Sequence, residues 1–168
     1  EYAVAPATAA VLRGVLSPVL EQTINYVNAP LITRERGIRV VESQSSTPSD
    51  FLNSVTVSLH AKNSTNTATG AVFSNKAVRL VRVNNFHLEA VPEGTILMLN
   101  NQDVPGVVGL VGTLLGKMGI NIAGLELGRE HMGGQAISFI HVDDQVSMEV
   151  LAELRKLDPI ISAQIIRL

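Results

Sequence analysis

Apolar positions in the first part of the chain recur at helical spacing. Val11, Leu12, Val15, Leu16, Val19, Leu20, Ile24 and Val27 predict an amphipathic helix over residues 8–28. Pro18 lies inside that run, where it removes a backbone donor and clashes one turn back, so a kink or split is expected there. Residues 33–37, Thr-Arg-Glu-Arg-Gly, read as a short helical turn closed by glycine. The period then changes to two. Runs at 38–43, 53–60, 67–73, 78–83 and 86–91 predict antiparallel strands, since their turns are rich in Ser, Asn, Thr and Gly. Residues 43–49 read as a polar, exposed loop. This half is expected to be a small α+β unit with one helical layer on a sheet.

A second pattern starts after Pro92-Glu93-Gly94. Residues 95–99 predict a short apolar strand and 100–103 a polar turn. Val107, Val108, Leu110, Val111, Leu114, Leu115 and Met118 then keep a helical stripe, stopped by Gly119. Residues 120–128 and 135–142 alternate as two strands around a turn at 130–134. Val150, Leu151, Leu154 and Leu157 mark a second helix, and 160–168 a last strand. The order is βαββαβ, a ferredoxin-like arrangement. The expected fold class is therefore α+β, with domains at 1–92 and 93–168.

Composition narrows the function classes. Of 168 residues, 46% are apolar and 17% charged, which excludes disorder. A net charge of −2 provides no field to recruit nucleic acid or an anionic membrane. Cysteine is absent, excluding disulfide frameworks, thiolate metal sites and cysteine nucleophiles. Aromatics make up 4% with no Trp, too few for a base-stacking platform. The longest charge-free apolar stretch, 104–116, is too short for a bilayer and is broken by Pro105 and by glycines. The chain opens Glu1-Tyr2-Ala3 with no signal-peptide pattern and reads as a piece of a longer protein.

Gly109, Gly112, Gly116 and Lys117 imitate a phosphate loop without its spacing: three residues separate the last two glycines, and Met118 follows the lysine. The run also lies inside the helix. Steric sense is better, because the glycines share a face and let another backbone come close. His60, His87, His131 and His141 form no i, i+4 pair, and His141 beside Asp143 and Asp144 reads as a strand end. No catalytic constellation and no metal set is found.

Residues 101–107, Asn-Gln-Asp-Val-Pro-Gly-Val, are the informative segment. Pro105 presets φ for a first helical turn, and Gly106 removes a side chain where a ligand could approach. The free N–H groups of that turn favour a carboxylate. Asp103 suits an ammonium group, and Asn121, in Gly119-Ile120-Asn121-Ile122-Ala123, could point at the same loop. Together these describe a free amino-acid site. The alternative is that Asp103 caps the helix and Asn121 makes a turn.

Residues 95–168, with those two motifs, resemble an ACT domain, an amino-acid-sensing module. The preceding half resembles the intervening domain of long-form D-3-phosphoglycerate dehydrogenases through Asn28-Ala29-Pro30, Arg36-Gly37-Ile38 and Ser54-Val55-Thr56-Val57, and Gly112-Thr113-Leu114-Leu115-Gly116 also fits that family. The resemblance implies the C-terminal regulatory part of a cytoplasmic enzyme that commits 3-phosphoglycerate to serine synthesis. Its NAD and catalytic residues belong to a part missing from this chain, so no cofactor is expected here. It implies L-serine bound between paired ACT domains, with Asp103, Asn121 and Asn101 as contacts beside Pro105 and Gly106, in a homodimer or homotetramer. It also implies a candidate anion site at Arg79, although Phe86 and Val91 stand where further basic residues would be expected. Two other readings remain: a ligand-free dimerisation module, and the regulatory part of an iron–sulfur L-serine dehydratase, whose Gly-Pro-Ser-Ser-Ser-His type segment is lacking.

Overall fold

The computed structural model describes residues 5–45 and 53–168. The chain forms two compact units, one ending at Pro48 and the other beginning at Ser49. The first contains α1 (Ala5–Leu16) and α2 (Ala29–Glu35). The helix predicted over 8–28 thus stops at Leu16, ahead of Pro18, and residues 20–28 are not helical. Asn25 and Asn28 hold that segment instead. The Asn25 side-chain carbonyl accepts from the Val27 and Asn28 N–H groups at 2.9 Å, and the Asn28 carbonyl accepts from the Asn25 N–H at 2.7 Å. Such bonds offer the backbone an alternative to the helix. Leu16, Ile24, Ala29 and Ile32 form the core of this unit, with Leu12 and Leu20 packed against it. Val19 and Val27, counted on the apolar stripe, are exposed.

After α2 the chain turns at Gly37, whose φ of +68° is the left-handed conformation expected of a closing glycine. The strand predicted over 38–43 does not form, because no described strand pairs with it, and Ile38, Val40 and Val41 are exposed. Alternation without a ladder is not a strand. Of the predicted 43–49 loop, residues 46–49 lie outside the described residues.

The second unit contains two antiparallel sheets. β1 (Ser54–His60), β2 (Thr65–Val72), β3 (Val78–Val83) and β4 (Phe86–Ala90) form a meander in that order. Then follow β5 (Thr95–Gln102), α3 (Val107–Lys117), β6 (Ile122–Arg129), β7 (Gln135–Val142), α4 (Met148–Leu154) and β8 (Ile160–Arg167). Their sheet order is β6-β7-β5-β8, the ferredoxin-like βαββαβ arrangement expected. The fold class is α+β.

One face of this second sheet packs on the helices. Val107, Val111 and Leu115, four residues apart on α3, join Leu97, Leu99, Ile140, Val142, Val150 and Leu154 in one core. The other face packs on the meander. Phe86, Leu88 and Ala90 alternate along β4 and meet Ile96, Ile137 and Phe139. The second sheet therefore covers β4. Pro92-Glu93-Gly94, where the composition changes, lies inside this unit, between two strands that share a core.

β5 is longer than predicted and runs straight through the expected polar turn. Asn100 and Asn101 pair with Ile137 and Ala136 in the ladder, and the Asn100 amide donates to Ser162 Oγ on β8 at 2.8 Å. Partners across the sheet allow polar residues to remain in a strand. This extension carries Asn101 and Asp103 to the start of α3.

Candidate ligand site at the start of helix α3

Asp103 links the end of β5 to the β6–β7 turn. Its N–H donates to the Gly134 carbonyl at 2.9 Å. Its Oδ2 accepts from the Gly133 N–H at 3.2 Å and faces Arg129 Nη1 at 3.4 Å. Gly133 has φ +75°, which suits the turn to glycine. Asp103 does not cap α3. The capping position is Gly106, at φ +92°, and among the described residues no side chain caps that end of the helix. The first N–H groups of α3 therefore keep their capacity for an anion, reinforced by the helix dipole.

Behind Asp103 the floor is polar and buried. Asn101 is 2% exposed and donates from Nδ2 to the Gln102 carbonyl at 2.8 Å, while its Oδ1 accepts a long bond, 3.4 Å, from Ser138 Oγ. Ser138, on β7, is 5% exposed and lines a cavity of about 20 Å³ under α3, otherwise walled by apolar side chains such as Leu99, Val108 and Leu125. That volume holds about one water. Sequence reasoning missed both Ser138 and Arg129. Ser138 is legible in hindsight, as the one hydroxyl among the buried positions Ala136, Ile140 and Val142 of β7.

Asn121 lies elsewhere. Its Nδ2 donates to Asp143 Oδ2 at 2.6 Å, and its carbonyl accepts from the Asp143 N–H at 3.4 Å. Gln102 pairs with Gln135 at one end of β7, whereas Ile122 pairs with Val142 at the other. The eight residues of β7 put Asp103 and Asn121 roughly 25 Å apart at about 3.3 Å per residue. The expectation that Asn121 points at the Asp103 loop fails within one chain, because α3 runs the length of the sheet between them.

The surface joining these two places is apolar. β6 is an edge strand with no ladder partner on its outer side among the described residues, and Ile122, Leu125 and Leu127 on it are each about two-fifths exposed, beside the exposed Val108 of α3. Among the described residues, a Cβ at Gly109, Gly112 or Gly116 would meet no atom within 4 Å beyond the backbone of its own helix. The close backbone approach expected at these glycines thus has no counterpart within the chain.

Arg79, on β3, donates from Nη1 to the Val78 carbonyl at 2.9 Å, and Phe86 is part of the core. His141 faces Glu126 across the β6–β7 ladder at 3.4 Å. Among the described residues, no group of three or more His, Asp or Glu side chains is placed to hold a metal, and no helix is long and apolar enough to cross a membrane.

Comparison with known proteins matches residues 1–84 to the D-3-phosphoglycerate dehydrogenase intervening domain and residues 95–159 to the ACT domain. Among curated relatives, the D-3-phosphoglycerate dehydrogenase of Synechocystis is 34% identical over 163 residues, 97% of this chain and 29% of the relative. That of Bacillus subtilis is 35% identical over 161 residues, 96% of this chain and 31% of the relative. That of Archaeoglobus fulgidus is 35% identical over 163 residues, with the same coverage. The chain spans about three-tenths of the length of these relatives. With the intervening domain matched over half of its length and the ACT domain over much of the remainder, the chain belongs to the D-3-phosphoglycerate dehydrogenase family.

Proposed function

We propose that this chain is the regulatory portion of a cytoplasmic, NAD-dependent D-3-phosphoglycerate dehydrogenase, sensing L-serine at a site completed between two copies. One observation carries the reading: Asp103 and the uncapped start of α3 lie at one end of an unpaired apolar edge, and Asn121 at the other. A two-fold axis across that edge runs β6 antiparallel to its copy and brings Asn121 of one chain to Asp103 of the other. It also covers Ile122, Leu125 and Leu127, and gives the glycine face of α3 a neighbour. An exposed apolar edge strand without a partner is a liability in a monomer. The reading thus calls for a homodimer, or a homotetramer built on it.

In each site Asp103 pairs the ammonium group, the free N–H groups that open α3 from Val107, just after Pro105 and Gly106, receive the carboxylate, and Asn101 and the second chain's Asn121 supply neutral hydrogen bonds. Hydride transfer to NAD from 3-phosphoglycerate, the committing step toward serine, belongs to the part of the parent enzyme outside this chain. The residues here do not fit a dinucleotide, since Gly109, Gly112 and Gly116 lie within α3 rather than before it. We assign residues 1–92 to the intervening domain and 93–168 to the ACT domain, with one anion contact in the former through Arg79. No nucleic acid or membrane partner is part of the reading.

A ligand-free dimerisation module is the second reading, favoured by the fact that Asp103 and Asn121 already have partners in Gly133, Arg129 and Asp143. Calorimetric titration of the chain with L-serine separates the two. Saturable heat supports the sensor. A flat titration alongside a dimeric native mass leaves only the module.

A further inference from the structure

Arg129 closes β6 on the helix-facing side of the sheet, and its guanidinium reaches one partner among the described residues. That partner is Asp103 Oδ2, met by a single nitrogen at 3.4 Å, longer than a good charge-assisted bond. A guanidinium carries five donors in a planar fork, so most of this one remains free, and its side chain is 53% exposed. Asp103 is in a similar state. Oδ2 accepts from Gly133 and Arg129, and Oδ1 has no partner among the described residues. A loosely joined carboxylate and guanidinium, each with open valence, stand beside a helix start that no side chain caps. This is the charge arrangement of a zwitterion, an ammonium for Asp103 and a carboxylate for Arg129.

Resting on the amino-acid site argued above, we propose that Arg129 is a further ligand residue, which takes the carboxylate of the bound amino acid together with the start of α3. The inserted ligand replaces the direct Asp103–Arg129 contact by two stronger ones, one at each of its charged ends. Arg129 is then what makes the site select a full α-amino acid over an amine of the same shape.

The test compares L-serine with L-serinamide, which keeps the ammonium and the hydroxyl but replaces the carboxylate by a neutral amide. Both are titrated calorimetrically into the parent chain, Arg129→Gln and Arg129→Lys. The parent is expected to prefer L-serine. Arg129→Gln should weaken L-serine by roughly ten- to a hundredfold, the range of a charged hydrogen bond, while serinamide binds as tightly as in the parent or more tightly. Arg129→Lys, which keeps the charge but not the fork, should fall between. Unchanged or tighter L-serine binding by Arg129→Gln overturns the proposal, as does an equal loss for both probes, which marks Arg129 as a support for Asp103 only. If the parent binds L-serine and Asp103→Asn abolishes it while Arg129→Gln does not weaken it, the site stands and the role of Arg129 falls. If the parent binds neither probe, the site itself falls.

Discussion

Gly128→Ala adds one methyl group where two strands from different sheets nearly touch. Gly128 lies on β6, and a Cβ built there would collide with the backbone carbonyl oxygen of His87 on β4 and stand 3.3 Å from His87 C and from Ile137 Cγ2. The obstacle is mainly backbone, which cannot turn aside as a flexible side chain can. β4 must therefore move off the second sheet, loosening the Phe86, Leu88 and Ala90 contacts with Ile137 and Phe139. Overpacking of this kind costs about 1–3 kcal/mol. The sign is diagnostic, because glycine inside a strand is otherwise a weak residue and alanine in open space would help. At about 2–6 °C per kcal/mol for a unit of this size, the thermal midpoint should fall by roughly 2–18 °C. Scanning calorimetry measures it. Gly14→Ala, inside α1, is the control, since its methyl group meets nothing within 4 Å beyond its own helix backbone and helix propensity favours alanine by about 0.5–1 kcal/mol. A Gly128→Ala midpoint equal to or above the parent's would refute the close approach of β4 and β6.

Ser147 caps α4, its Oγ accepting from the Val150 N–H at 3.3 Å, so Ser147→Ala should lower stability by about 1 kcal/mol in urea unfolding. Gly109→Leu places a bulky side chain on the open face of α3 and should weaken self-association in sedimentation, with the monomer fold intact by circular dichroism. L-serine at ~100 times Kd should add about 2.7 kcal/mol to the parent's thermal stability. Asp103→Ala should lose most of that gain, whereas His141→Ala, paired with Glu126 on the other face of the sheet, should keep it.

Much of the second half was legible because its periods are clean and its stops explicit. Gly119 ends α3 with φ +73°, and β7 lies at the residues predicted. Two of the misses share a cause, side chains that bond the backbone or each other. Asn25 and Asn28 hold in a non-helical turn a segment that apolar spacing would make helical, and the Asn100–Ser162 pair continues a strand that polar composition would end. Periodicity records only what burial wants, so it cannot register such bonds. The chemistry of the candidate site was legible at Asp103, Pro105 and Gly106, where residue types suffice. The placing of Asn121 was not, because it depends on which way the strand after α3 returns. Arg129 and Ser138 lie about 26 and 35 residues beyond Asp103 and reach its neighbourhood only through the β6–β7 ladder.

The central claim is that each ligand site takes Asp103 from one chain and Asn121 from another, and mixing two defective variants tests it most directly. Asp103→Ala and Asn121→Ala are each titrated with L-serine alone, then dissociated together, reassociated in equal amounts and titrated again. Alone, each variant weakens both of its sites, Asp103→Ala by the loss of a charged partner and Asn121→Ala by roughly tenfold for a neutral hydrogen bond, so neither should show the parent's affinity at any site. In the mixture, half of the dimers are hybrids, and each hybrid has one intact site and one doubly broken site. About a quarter of all sites should then bind L-serine with the parent's affinity. No recovery in a mixture shown by native mass measurement to contain hybrids would contradict the shared site.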